Sequence, residues 1–195
     1  MARDRASRPE ARPLRLFVAV DIAEDAKALA AGAIAPWRER FPKARWVPAE
    51  NWHVTLKFLG STWPRLVDWV TGTVATVAAA HGPFEISLDG LGSFPSARRA
   101  RVVWVGLADP SGGLAALAGA LADGLATEFE PERRAFTAHL TVARSDPPVT
   151  LPEEFAATEL RSEPFAIDRL VIYRSHLQRP APRYEPLQAF PLAGR

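Results

Sequence analysis

Residues 51–60 read NWHVTLKFLG and residues 136–144 read FTAHLTVAR. Each holds a histidine, an apolar residue, a threonine and another apolar residue: His53-Val54-Thr55-Leu56 and His139-Leu140-Thr141-Val142, 86 positions apart. His81 and His176, the other two of the four histidines, lack this setting. Side chains alternate across a strand. Alternation sends Trp52, Val54, Leu56 and Phe58 one way, as core, and His53, Thr55 and Lys57 the other, with Lys57 solvated. In the second phrase Leu140 and Val142 oppose His139 and Thr141. Each strand thus has an oily back and a polar front, and the repeat points to one site built from two matching halves.

The flanking sequence supplies elements for both halves. A buried strand is predicted over 16–21, a helix over 24–40 with Pro36 as its weak point, and a short extended piece at 45–47. The first histidine strand spans 52–59 and ends at Gly60. Pro64 suits a first helical position, and Leu66, Val70, Val74 and Val77 carry helical spacing to residue 80. Strands over 84–91 and 101–107 pair across the connection SFPSARRA. Gly112-Gly113 precedes a helix with Leu114, Leu117, Leu121 and Leu125 on its inner face. The second histidine strand spans 138–144, DPPVTLPEE is a proline-broken loop, and strands over 165–174 and 184–190 close the chain. This order predicts an α+β fold with antiparallel or mixed sheets.

Composition narrows the function. The chain has 195 residues, a 48% hydrophobic fraction and no cysteine. Disulfides, thiolate zinc sites and cysteine nucleophiles are therefore excluded. No apolar run is long enough for a membrane helix, and a cytoplasmic location is expected. Residues 1–13 are read as a disordered basic tail, with Arg3, Arg5, Arg8 and Arg12 against Asp4 and Glu10. That tail carries +2, which is also the formal total, so residues 14–195 sum to zero. A broad electrostatic grip on duplex nucleic acid is not indicated. All basic residues except Lys27, Lys43 and Lys57 are arginine, a side chain suited to bidentate phosphate contact.

Two histidines facing a common cleft suit phosphodiester cleavage. One neutral imidazole takes a proton from water while one imidazolium protonates the departing oxygen. Threonine hydroxyls on the same faces donate to non-bridging phosphate oxygens. A zinc site is a poor alternative, because no clear third ligand accompanies the histidines and Asp146 is only a loop candidate.

With these motifs, together with RLFVAVDI, GSFPSARRARVVWVGL and LVIYRSHLQRPAPRYEPLQAFPL, the chain resembles the two-histidine (2H) phosphoesterase superfamily. Within it the chain is most similar to the bacterial and archaeal RNA 2′,3′-cyclic phosphodiesterases, often labelled 2′-5′ RNA ligases. The resemblance implies a bilobal α+β fold with a pseudo-twofold axis, outer helices and a cleft between the lobes. It implies hydrolysis of 2′,3′-cyclic phosphates to 2′-phosphates with no metal and no cofactor, on RNA ends or small cyclic nucleotides. It implies His139 as base and His53 as acid, roles that near-symmetry allows to exchange, with Thr55, Thr141 and Arg144 on the phosphate. Simple alternation puts Arg144 on the back face, so the strand must turn or end there. Ala138 stands where many relatives have proline, and a slight change of strand entry is expected. Tyr184 and Ser175 are read as packing and turn residues. Residues 14–195 are expected to form one bilobal domain, monomeric and without membrane contact. Two further readings are 2′-5′ RNA ligation by the same acid and base, and a module that binds nucleotides or RNA ends without turnover.

Overall fold

Every strand pairing runs antiparallel, and the chain passes back and forth between two sheets. The computed structural model describes residues 12–132, 134–178 and 181–194. The basic tail, apart from Arg12 and Pro13, lies outside the described residues.

The first strand, β1 (Leu14–Asp21), leads into helix α1 (Glu24–Arg40), which continues through Pro36. A two-residue strand β2 (Arg45–Trp46) and a short 3-10 turn follow, then the first histidine strand, β3 (His53–Thr62). Helix α2 (Pro64–Ala80) starts at Pro64, whose missing N–H costs nothing at a first helical position. The hairpin β4 (Phe84–Phe94) and β5 (Ala100–Ala108) runs longer than its apolar cores alone predict. Asp109 then caps helix α3 (Gly113–Leu125), its carboxylate accepting from the Gly113 and Leu114 N–H groups at 3.1 and 2.8 Å. Gly112, at φ +70°, supplies the left-handed turn before it.

The second histidine strand, β6 (His139–Val149), extends into the proline segment that was expected to be a loop, and a short helix α4 (Glu153–Ala156) follows. The single strand expected over 165–174 is two strands. β7 (Phe165–Ile167) and β8 (Arg169–His176) part at Asp168 and enter different sheets. Strand β9 (Arg183–Pro191) closes the chain.

The first sheet has the order β3-β1-β8-β9 and the second β2-β6-β5-β4-β7. The back faces of both strands bury Val54 and Leu56, and Leu140 and Val142, in one continuous apolar cluster. The leucines at 114, 117, 121 and 125 join it from α3, as their spacing predicts. The two halves match: each histidine strand pairs with an inner strand of its own sheet, β3 with β1 and β6 with β5.

The match extends to an irregularity. Ala19 pairs with Thr55 but Val18 pairs with Lys57, so Leu56 is an extra residue. In the same way Trp104 pairs with Thr141 but Val103 pairs with Ala143, leaving Val142 extra. Such a bulge inverts the alternation beyond it. Lys57 is therefore buried, at 1% exposure, and Phe58 stands 55% exposed, the reverse of the expectation from strict alternation. The equivalent inversion in β6 buries Ala143 and brings Arg144 to the polar front.

Candidate active site

The front of the first sheet carries His53 and Thr55, and beyond the bulge Phe58. The front of the second carries His139, Thr141 and, beyond its bulge, Arg144. Strands β3 and β6 contact one another, and Arg144 on the front of β6 lies within electrostatic reach of His53 on the front of β3. β2 stitches that junction. Arg45 and Trp46 pair with Arg144 and Ala143, the Val47 N–H donates to the Val142 carbonyl at 2.9 Å, and the chain then turns into His53.

Each imidazole is held by the carbonyl two residues upstream. His53 Nδ1 lies 2.8 Å from the Asn51 oxygen, and His139 Nδ1 lies 2.7 Å from the Thr137 oxygen. A carbonyl only accepts, so Nδ1 carries the proton in both rings and Nε2 is the acceptor nitrogen of the neutral form. Sequence reading missed these carbonyls, because a backbone group leaves no trace in residue type. The halves differ at Nε2. In His53 it lies 3.1 Å from the Thr55 hydroxyl, a partner already in place.

Aromatic rings back both histidines. Phe17 stacks on His53 with centroids 4.7 Å apart, and Tyr184 meets the same ring edge-on at 5.1 Å. Phe94 meets His139 edge-on at 5.1 Å. Tyr184 thus packs as expected, but it packs against the imidazole itself. Phe17 was hidden in the sequence because 16–20 is apolar throughout and shows no period. Tyr173 donates to Asp21 at 2.5 Å beneath His53.

Burial among these rings disfavours charge on the imidazoles. It is the main cause of a His53 pKa of about 4, opposed by the Asn51 carbonyl and Asp21 and aided by Arg144 and Lys27. His139 is lowered too, by burial first and by Arg144 against the Thr137 carbonyl. One exposed guanidinium therefore acts on both imidazoles, although they belong to different sheets. The Tyr184 hydroxyl is raised by burial, again with Arg144 acting against the shift.

A cavity of about 360 Å³ opens beside His53, lined by Asp21, Lys27, Asn51, Arg169, Tyr173 and Tyr184 among others. Its cations are already partnered, Lys27 by Glu24 at 2.8 Å and Arg169 by Asp168 at 3.4 Å. Arg144, an exposed guanidinium with no ion pair among the described residues, is the cation that acts on both imidazoles. Lys57, expected in solvent, lies beneath the site and donates to the Glu130 carbonyl at 2.9 Å. Among the described residues no three histidine or carboxylate groups converge to hold a metal ion, and Asp146 pairs with Arg101 at 2.9 Å.

A family model described as the 2′-5′ RNA ligase superfamily matches residues 24–179. The chain belongs to the 2′-5′ RNA ligase superfamily. Among its relatives in that superfamily, the RNA 2′,3′-cyclic phosphodiesterase of Escherichia coli K12 is 30% identical over 189 residues, covering 92% of this chain and 97% of the relative. The RNA 2′,3′-cyclic phosphodiesterase of Geobacillus stearothermophilus is 30% identical over 181 residues, 91% of this chain; the chain spans 57% of that relative's length. The crystal structure of Escherichia coli LigT complexed with 3′-AMP superposes with a TM-score of 0.71 at 29% identity, covering 92% of this chain and 98% of that one. No described helix of this superfamily member is long and apolar enough to cross a membrane.

Proposed function

We propose that the chain is an RNA 2′,3′-cyclic phosphodiesterase that opens the cyclic phosphate to a 2′-phosphate by a two-histidine acid–base mechanism. One observation carries the reading. Two imidazoles with the same Nδ1–carbonyl anchor, each with a threonine on its own strand face, flank a junction that one exposed arginine serves. The relatives' activity and the nucleotide held by the Escherichia coli structure support it.

His139 takes a proton from water at Nε2 as the water oxygen bonds to phosphorus. The bond from phosphorus to the 3′ oxygen breaks, and His53 donates its Nε2 proton to that oxygen. The products are a 2′-phosphomonoester and a 3′ hydroxyl, and proton exchange with solvent resets both rings. With a pKa of about 4 His53 rests neutral in the free chain, and the negative charge of the bound phosphate raises it into the cationic form that the acid role needs. Thr55, Thr141 and Arg144 hold the phosphate oxygens. Phe58, an open ring on the reacting face, serves as the platform for the nucleobase. Both halves come from one chain, so a monomer suffices, and two imidazoles complete the proton transfers without a metal.

An RNA with a 2′,3′-cyclic end is expected to be converted to the 2′-phosphate in EDTA. His53→Ala and His139→Ala are each expected to lower kcat by about 10² to 10⁴. A cyclic end that persists, or unchanged turnover in either variant, overturns the reading.

A further inference from the structure

Arg45 lies directly opposite Arg144 across the β2–β6 pairing. Residues opposite one another in an antiparallel pair point to the same face. Arg144 is on the front beyond its bulge, so Arg45 is on the front too. Its neighbour Trp46 confirms the alternation, since it pairs with buried Ala143 and donates its indole N–H to the Phe41 carbonyl at 3.1 Å. Both arginines are exposed. Among the described residues no carboxylate forms an ion pair with either, whereas nearby Arg101 is held by Asp146. Like charges set directly opposite on a sheet repel. An anion shared along this edge relieves the repulsion.

The chemistry of the substrate says which anion. A 2′,3′-cyclic phosphate uses both the 2′ and 3′ oxygens of the terminal nucleotide. The chain continues from that nucleotide only through its 5′ oxygen, so the next negative charge is the 5′ phosphate. Arg144 shares its strand with His139 and acts on both imidazoles. Arg45 is one strand further out, about 5 Å away at the backbone.

We propose that Arg45 binds the phosphate on the 5′ side of the reacting nucleotide and so favours RNA ends over free cyclic nucleosides. This rests on the cyclic phosphodiesterase reading for the register of the ligand. The site takes a nucleotide with two phosphates, the reacting one at Arg144 and the 5′ one at Arg45.

A minimal pair of substrates isolates the contact: adenosine 2′,3′-cyclic phosphate with and without a 5′ phosphate. In the wild type the 5′ phosphate is expected to raise kcat/KM about tenfold, the size of one charge-assisted contact. Arg45→Gln is expected to bring the ratio close to one while leaving the unphosphorylated substrate within about twofold. Arg45→Lys keeps part of the preference, because the charge remains while the fork is lost. A ratio unchanged by Arg45→Gln overturns the proposal and leaves Arg45 as a charge that guards a sheet edge. An equal loss on both substrates also overturns it, because Arg45 then serves the reacting phosphate.

Calorimetric binding of adenosine 2′,5′-bisphosphate and adenosine 2′-monophosphate separates this outcome from failure of the activity itself. If neither cyclic substrate turns over, the phosphodiesterase reading fails. The bisphosphate preference and its loss in Arg45→Gln still decide Arg45. The position is exposed, and an unchanged thermal midpoint shows that the variant is folded.

Discussion

His53 is set among aromatic rings and ties its Nε2 to Thr55, and both stability and activity should register this. Its unfolded pKa is near 6.5 and its folded pKa about 4. Between those values the unfolded chain binds more protons, so stability falls as pH drops through that window. Denaturant unfolding at pH 7 and pH 5 should show the wild type losing about 2 kcal/mol more than His53→Gln, whose side chain does not titrate. Equal losses would mean that the ring is solvated. The same burial sets the rate profile. Both imidazoles are lowered below 6.5, so both limbs of the kcat/KM profile for the free enzyme should fall below that value. In the complex the substrate's negative charge favours both cations, and the kcat profile should shift to higher pH. An alkaline limb of kcat/KM at pH 7.5 or above would contradict the inferred burial.

The paired bulges decide which side chains join the two histidines on the front faces. Without them Arg144 would point into the core and Lys57 into solvent; with them Lys57 is buried and fastens the segment that leads to His139. Lys57→Met should cost about 1–3 kcal/mol by removing the bond from a buried ammonium to the Glu130 carbonyl and its 3.6 Å contact with Glu132. Hydrogen exchange over 126–132 should also accelerate, because the Glu130 tether is lost. A stability change within about 0.5 kcal/mol, as for ordinary surface substitutions, with unchanged exchange, would return Lys57 to the solvated role strict alternation gives it. This is also where sequence reading reaches its limit. The histidines, the threonines and their oily backs obey a period of two and are legible as far as Thr55 and Thr141. A bulge depends on how the partner strand pairs, which no local pattern records, so Phe58 was assigned to the core and Lys57 to solvent. Arg144 exposed the conflict, because alternation sent it to the wrong face. The break at Asp168 was hidden for a related reason: two strands that meet end to end but join different sheets read as one apolar run.

Neither sheet is continuous in the chain. The first takes β1, β3, β8 and β9, and the second takes β2 and then β4 to β7, so the backbone crosses between them four times. β2 is the tightest crossing, an edge strand of the second sheet inserted between two strands of the first. Helix α2, which follows β3, packs on α3, which follows β5, and the buried side chains of both sheets form one cluster. Lobes interleaved in this way should not unfold separately, although each carries its own histidine. Far-UV circular dichroism, tryptophan emission and catalytic activity should therefore be lost in one coincident transition. Tryptophans serve both sides, Trp52 beside His53 and Trp104 on β5. The β2 stitch makes the expectation specific. Trp46→Ala removes a half-buried ring and its bond to Phe41, and should lower the single midpoint by several degrees without splitting it. A transition in which Trp52 and Trp104 report different midpoints would mean that the lobes are held together only at the cleft. In that case the spacing of the two imidazoles would depend on the substrate that bridges them.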